Sequence, residues 1–472
     1  MNLHSKFFDT VEHFSFDRKM ENIPTSEVIL ASLIRQLGLS DNQSESNVYL
    51  SNNLYTSLYH ESRSDEIQKI CRKELTTPVS SKIFQWKREG REAVRYREDI
   101  RAFTPQLAGH IHGVRAGGGS WNPGMWFIEE IALGFSCIED CQDFLRQFGD
   151  ALDVQLTGER EDPLAQFFNF SLRENLRQND WETRLHKLHG APSSKRRREI
   201  FGWKELPLHA EYVKVFQFLI GNKYNYTRYQ WLQMIVSILR LFASTTTLYR
   251  LSLPGHFIDA LEKGRDFASV WQHKEVVRYR NDRKQIVEDG IRKYIIDYMT
   301  ICLAIQQVGI KNANQLSTEE VFKCLALGDI NFKILRDEVW KIVRESHEKE
   351  FELKTSTFKN IRELLEYVGR KGEDESRLAV DFSYHFRKHG KRGGVFKLLF
   401  GDALLYVLAL YAGEKEKSKS FSSEKFNEAL LCLGVELKMS EYSLNGLRDR
   451  LLNLGLVEES SDSDSGLMFR LI

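Results

Sequence analysis

The sequence predicts a mostly α protein, a multi-domain helical body with a C-terminal winged helix-turn-helix domain. Three observations predict it. Only 8 prolines fall in 472 residues, so few positions bar a helix interior. Apolar residues recur at three- and four-residue spacing along most of the chain. The last stretch, 396–472, runs helix, helix, helix, hairpin, with start and stop signals for each.

Composition sets the outer bounds. An apolar content of 42% and a charged content of 28% are those of a folded, soluble chain and exclude a disordered one. Six cysteines without a regular pattern point to free thiols in a reducing compartment, hence to the cytoplasm. Residues 1–20 are polar and aromatic and carry no signal-peptide pattern. The most apolar runs, 231–253 and 395–412, are interrupted by Arg240 and by Lys397 and Asp402, so no membrane partner is expected. A length of 472 residues leaves room for several domains. We divide the chain into an N-terminal helical domain (1–105), a Gly-rich loop plus basic helical segment (106–205), a helical array (206–370), a basic linker (371–395) and the winged-helix domain (396–472).

In the first domain Ile29, Leu30, Leu33, Ile34 and Leu37 form one amphipathic stripe. Residues 82–101 are strongly basic, with Lys82, Lys87, Arg88, Arg91, Arg95, Arg97 and Arg101, but Glu89, Glu92, Glu98 and Asp99 dilute them into a pattern of ion pairs on a solvated helix. Residues 109–126 hold six glycines and a proline in eighteen positions, which predicts a loop. That loop lacks both the P-loop and the dinucleotide spacing, and Trp121 and Trp126 read as its packing anchors. Ser136 with Glu139 reads as a capping box, and Cys137 and Cys141 then share a helix face. With His110 and His112 they are four residues of zinc-ligand type, although small buried cysteines are the plainer reading.

The helical array starts near Val213 and Phe216 and continues through Trp231, Met234, Ile235, Ile238, Leu239 and Phe242. Pro254-Gly255 predicts a break. Residues 274–293 are basic, 295–305 apolar, and Ser317 with Glu320 gives another capping box. In the last domain a buried helix over 400–412 is expected to stop at Gly413, Ser422 or Ser423 to cap a second helix, and Ser440 a third. The third carries Leu444, Leu447, Leu451 and Leu454 inward, leaves Asn445, Arg448, Arg450 and Asn453 outward, and ends at Gly455. Strands from Leu456 and from Leu467 then flank a polar tip.

Two clusters carry the chemistry that interests us most. Lys195, Arg196, Arg197 and Arg198 follow a Pro-Ser-Ser turn and precede Phe201 and Trp203, a composition suited to phosphate contact with stacking, and equally to an exposed linker. Arg387, Lys388, Lys391 and Arg392, interleaved with His389, Gly390, Gly393 and Gly394, form the densest cationic run of the chain. Glycine lets backbone amides approach an anion there. The winged-helix domain itself is acidic: from Val395 onward 9 Lys and Arg face 12 Asp and Glu, and Glu458, Glu459, Asp462 and Asp464 sit at the tip. Such a tip repels phosphate and suits a protein partner. Arg184 and His189 match an Arg-x4-His spacing found in HEPN-type ribonucleases, with Leu185 where that motif has a polar residue. No Gly-x-Ser-x-Gly, Walker or His-Glu-x-x-His motif is present, so no catalytic residue, metal or cofactor is assigned.

The run from Leu447 to Glu458, Leu-Arg-Asp-Arg-Leu-Leu-Asn-Leu-Gly-Leu-Val-Glu, followed by a Ser-Asp tip and a final strand, resembles the C-terminal domain of accessory subunits in bacterial anti-phage systems, phosphorothioation-dependent restriction among them. The resemblance covers the last part of the chain and transfers no functional residue. It implies a non-catalytic subunit working with an ATPase or a nuclease. The expectation is therefore a nucleic-acid-binding and scaffolding subunit, with a HEPN-like ribonuclease and a pure protein scaffold as the alternatives.

Overall fold

The computed structural model of the chain describes residues 123–152, 206–226, 228–272, 277–278, 286–311, 318–347, 387–389, 395–397, 400–437, 447–459 and 467–471, with Leu30, Leu33, Leu37, Ala313 and Leu316. These residues are mostly helical, as expected. The basic stretch at 82–101, most of the Gly-rich loop and the segment 153–205 lie outside them.

The first described helix, α1 (Pro123–Ile131), opens inside the stretch expected to be loop throughout. Pro123 stands at its first position, where the missing N–H has no intrahelical partner to lose. A short 3-10 turn, Ala132–Gly134, leads to α2 (Ile138–Leu152). That helix begins one residue later than a Ser136 cap requires. The Cys137 sulfur occupies the capping place, against the Asp140 N–H. Phe144, Leu145, Phe148 and Leu152 give α2 a buried face. Leu30, Leu33 and Leu37 of the predicted stripe are buried too, and Leu37 reaches the Gly149 position.

The body is organised on two helices, α3 (Pro207–Gly221) and α4 (Arg228–Glu262). The rings of Phe127, Phe148, Phe216 and Phe242 bring α1, α2, α3 and α4 together, with Phe127 5.4 Å from both Phe216 and Phe242. α4 is apolar nearly all round because it is surrounded: it packs against α3, against α6 (Ile286–Val308) and α7 (Thr318–Ala326), and against α9 of the C-terminal unit (Asp402–Glu416). A helix apolar on every face has to be buried. No helix among the described residues is long and apolar enough to cross a membrane.

The expected break at Pro254-Gly255 is absent, for α4 runs straight through it. Proline removes one donor and frees one carbonyl, a loss that packing on both sides can outweigh. Gly255 serves close approach instead: a Cβ there would come within 2.7 Å of the Asp297 carboxylate on α6. Asp297 in turn accepts from Arg336 Nε at 3.0 Å, and Arg336 Nη1 lies 3.7 Å from Glu262. This network joins α4, α6 and α8 (Phe332–His347). Short α5 (Ala268–Gln272) and strand β1 (Val277–Arg278) connect α4 to α6. β1 lies in what the sequence suggests is continuous helix. It pairs parallel with β5 (Val435–Glu436) of the C-terminal unit, so a partner distant in sequence decides its conformation.

β2 (Arg387–His389) and β3 (Val395–Lys397) form an antiparallel hairpin where the sequence reads as linker. The C-terminal unit follows. α9 does not stop at Gly413 but continues to Glu416, and Lys417 takes the left-handed capping conformation at φ 52°. Gly413 is required for space, since a Cβ would press on Leu471, on the Ser418 carbonyl and on Phe421. β4 (Ser420–Ser422) leads into α10 (Ser423–Cys432), whose N-terminal Lys425 N–H donates to the Ser422 hydroxyl as predicted. α11 (Leu447–Asn453) ends at Gly455, with φ 68° and Leu456 N–H donating to the Leu451 carbonyl. That left-handed glycine was legible in advance. β6 (Val457–Glu459) and β7 (Leu467–Arg470) complete a three-stranded antiparallel sheet in the order β4-β7-β6. Phe469, at its centre, stacks on Phe421 and Phe426 with ring centroids 5.1 and 4.4 Å away.

Candidate functional site

Two polar places stand out from this frame: a buried carboxylate at the junction of body and C-terminal unit, and the basic hairpin. The first is built by α3 and α9. Both helices are buried over most of their length, and between them they leave Glu211, Lys214, Tyr411 and Lys415 around a cleft of about 370 Å³ that Gln217, Phe218 and Asn222 also line. Glu211 is buried and accepts from Lys415 Nζ at 2.5 Å, the Tyr411 hydroxyl at 3.1 Å and Lys214 Nζ at 3.2 Å. Lys415 also donates to Cys432 Sγ at 3.0 Å. Burial pushes the Glu211 carboxyl upward, and the Lys415 ammonium, with Lys214 behind it, more than offsets this and holds it below the ordinary value. Burial and the facing carboxylate push the Tyr411 hydroxyl far above its usual range. Lys415 is lifted as well: its own burial opposes the rise, and Glu211 overrides that.

Chemically this is a saturated ion-pair network. Glu211 is held ionised by three donors, and Tyr411 and Lys415 are held in their protonated forms. None of the three is poised to exchange a proton near neutral pH, which general acid–base work requires. What the arrangement does is lock. Close by, the wholly buried Tyr212 donates to the Leu433 carbonyl at 3.1 Å and lies 2.7 Å from Thr245 Oγ1. The Tyr411 ring meets Phe218 edge-on at 6.1 Å. Body and C-terminal unit thus share one apolar core.

Of the sequence-predicted contact residues, Arg387 and Lys388 fall on β2, while Lys391 and Arg392 lie in the 390–394 connection, outside the described residues. Lys195, Arg196, Arg197 and Arg198 are outside them too, as are Arg184, His189, His110 and His112. Cys141 is fully buried, and burial pushes its thiol up to about 12, against the thiolate form that a metal ligand needs. Among the described residues no group of three or more His, Cys, Asp or Glu could hold a metal ion.

The third helix of the C-terminal unit differs from expectation at one position. Arg450 does not stand free on the outer face. Its Nε and Nη2 donate to Asp402 and its Nη1 donates to the Phe400 carbonyl, at the start of α9. On the hairpin, Arg470 pairs with Glu458 at 2.6 Å. Sequence reading missed Glu211 altogether, because its partner is 204 positions away and no local pattern marks it. Neither a protein-family model nor a curated protein matches this chain.

Proposed function

We propose that the chain is a non-catalytic nucleic-acid-binding and scaffolding subunit of a DNA-acting assembly of the bacterial defence kind. In this reading the unit from α9 to β7 is a winged helix. The observation that carries the reading is the order helix, strand, helix, helix, hairpin with sheet order β4-β7-β6, standing directly after a cationic hairpin. The two parts divide the work by charge. Arg387, Lys388, Lys391 and Arg392 hold the phosphate backbone, a contact that is strongly salt-dependent and largely indifferent to sequence. The winged helix carries the excess of carboxylates, and two of its cations, Arg450 and Arg470, already face carboxylates of their own unit. That surface suits a protein partner, an ATPase or a nuclease, better than a phosphate. The lock around Glu211 then transmits force between the two bound partners through a rigid junction.

The test is duplex DNA binding by the full chain across a salt series, beside a variant with Arg387, Lys388, Lys391 and Arg392 changed to Ala. Each lost phosphate contact flattens the log–log salt slope by about 0.9 for duplex DNA, so the variant slope falls by roughly three to four. An absence of wild-type binding at low salt refutes the proposal.

A further inference from the structure

Lys415 serves partners on two other helices. Its Nζ donates to Glu211 Oε1 on α3 at 2.5 Å and to Sγ of Cys432, the last residue of α10, at 3.0 Å. One ammonium on α9 therefore ties the buried carboxylate of the junction to a thiol. The two ends differ in access. The Glu211 side chain is 8% exposed and that of Lys415 35%, and Cys432 is partly exposed too, so a small reagent in solvent meets the sulfur and not the carboxylate. Thiols in electropositive, partly exposed settings are the ones that oxidants modify first. Cys137 gives the contrast: it is also partly exposed, but the charged groups beside it are the carboxylates of Asp140 and Glu139.

We infer that Glu211, Lys415 and Cys432 form an oxidation-sensitive switch: conversion of the Cys432 thiol to a sulfenic acid by hydrogen peroxide draws the Lys415 ammonium off Glu211 and loosens the C-terminal unit from the body. The reaction consumes one peroxide. Sulfur attacks one peroxide oxygen, the S–O bond forms and the O–O bond breaks. Sulfur loses two electrons and the peroxide gains them. The thiol proton passes to solvent, and the departing hydroxide takes a proton from solvent and leaves as water. A thiol reductant restores Cys432, giving one disulfide and one water. The structural effect follows from the spacing. A gap of 3.0 Å leaves no room for an oxygen between sulfur and nitrogen, and at 2.5 Å from Glu211 the nitrogen cannot retreat further toward the carboxylate. It gives way sideways and re-forms its bond to the new oxygen, a stronger acceptor than a thiol sulfur. Glu211 keeps Tyr411 and the more exposed Lys214, so the lock weakens without opening fully. The switch rests on the Glu211 contact and is independent of any nucleic-acid ligand.

The test treats the full chain with hydrogen peroxide, traps sulfenic acid with dimedone in one portion for peptide mass mapping, and melts the other. Cys432 should be trapped roughly tenfold faster than Cys137 and Cys324. The oxidised protein should melt about 2 °C below the untreated one and recover with dithiothreitol. Cys432→Ser should show no peroxide-dependent fall. In Lys415→Met, Cys432 should be trapped no faster than Cys324, and its oxidation should leave the melting temperature where it was. Cys432→Asp provides an arm without peroxide. Its carboxylate competes with Glu211 for Lys415, so Glu211→Gln should cost roughly half of the melting temperature that it costs in wild type. Trapping of Cys137 or Cys324 as fast as Cys432 overturns the switch, and so does a trapped Cys432 with an unmoved melting temperature. A fall that persists in Cys432→Ser, or a Glu211→Gln cost undiminished in Cys432→Asp, overturns it as well.

Discussion

Glu211 on α3 and Lys415 on α9 meet at 2.5 Å across 204 positions of sequence. The contact fastens the helical body to the C-terminal unit. Lys415→Met removes the strongest donor and leaves a buried carboxylate with Tyr411 and Lys214 only. The Lys415 side chain is 35% exposed, so solvent screens part of the effect. We expect a loss of about 1–2 kcal/mol in urea unfolding, and a smaller loss for Glu211→Gln, which keeps the hydrogen-bond geometry without the charge. No change in either variant means that the junction is held by apolar packing alone.

The same contact fixes a pH dependence. Glu211 has a folded-state pKa below its unfolded value. Its ion pair therefore contributes in full above the unfolded carboxylate value, about 4.3, and the contribution is lost as pH falls through the depressed folded value. The stability difference between wild type and Glu211→Gln should stay level from neutral pH down to about 5 and then close toward zero as the solution becomes more acidic. Unfolding curves collected from pH 7 to pH 3 check this. A difference that widens in acid contradicts the assignment.

Glycines separate local from tertiary causes. At Gly134 a Cβ would come within 2.7 Å of the His209 backbone and 2.8 Å of Val213, so Gly134→Ala forces main chain apart and should cost about 2–3 kcal/mol. At Gly255 the neighbour is Asp297, a side chain held by Arg336, and the cost should be about 1–2 kcal/mol although alanine is the better helix former. At Gly221 nothing lies within 4 Å, and Gly221→Ala should be neutral or stabilising by a few tenths up to about 1 kcal/mol. Thermal melts of the three variants test the ranking.

These positions also show what the sequence could disclose. The stripes at 231–242 and at Leu447 and Leu451, the Ser422 cap and the Gly455 stop were legible because each rests on neighbours within a turn or two. Pro254-Gly255, Gly413 and β1 were misread because tertiary partners decide them: Asp297 for Gly255, Leu471 and Phe421 for Gly413, and β5 for β1. The Glu211 network was illegible for the same reason. A lone glutamate in a helix carries no mark of a lysine two hundred residues on. The cationic run at 387–392 was legible as charge, but the pairing of 387–389 with 395–397 comes only from strand register.

Arg450 gives a direct contrast with Arg448. Both lie on α11 and differ in exposure: Arg450 is half-buried, bound to Asp402 and to the Phe400 carbonyl, and Arg448 is exposed. Arg450→Ala should lower stability by about 0.5–1.5 kcal/mol, since both partners of the ion pair are partly exposed, and under the proposed nucleic-acid reading it should leave duplex DNA affinity unchanged. Reduced affinity with unchanged stability would place Arg450 on the ligand instead.

The cysteines divide by burial. Cys141 and Cys302 are fully buried, and desolvation pushes both thiols up to about 12. Cys137, Cys324 and Cys432 are partly exposed. Only a thiolate reacts with an alkylating reagent, so a group titrating near 12 is almost wholly protonated at pH 8 and is shielded as well. Brief treatment of the native protein with iodoacetamide at pH 8, followed by peptide mass mapping, should label Cys324 and Cys432 and leave Cys141 and Cys302 unmodified. Both should become reactive together once the chain is unfolded in guanidinium, because α2 and α6 bury them in one continuous core. Labelling of Cys141 in the native protein at a rate near that of Cys432 would show that α2 opens independently of α3 and α4, and would remove the aromatic cluster around Phe127 and Phe216 as the element that holds the body together.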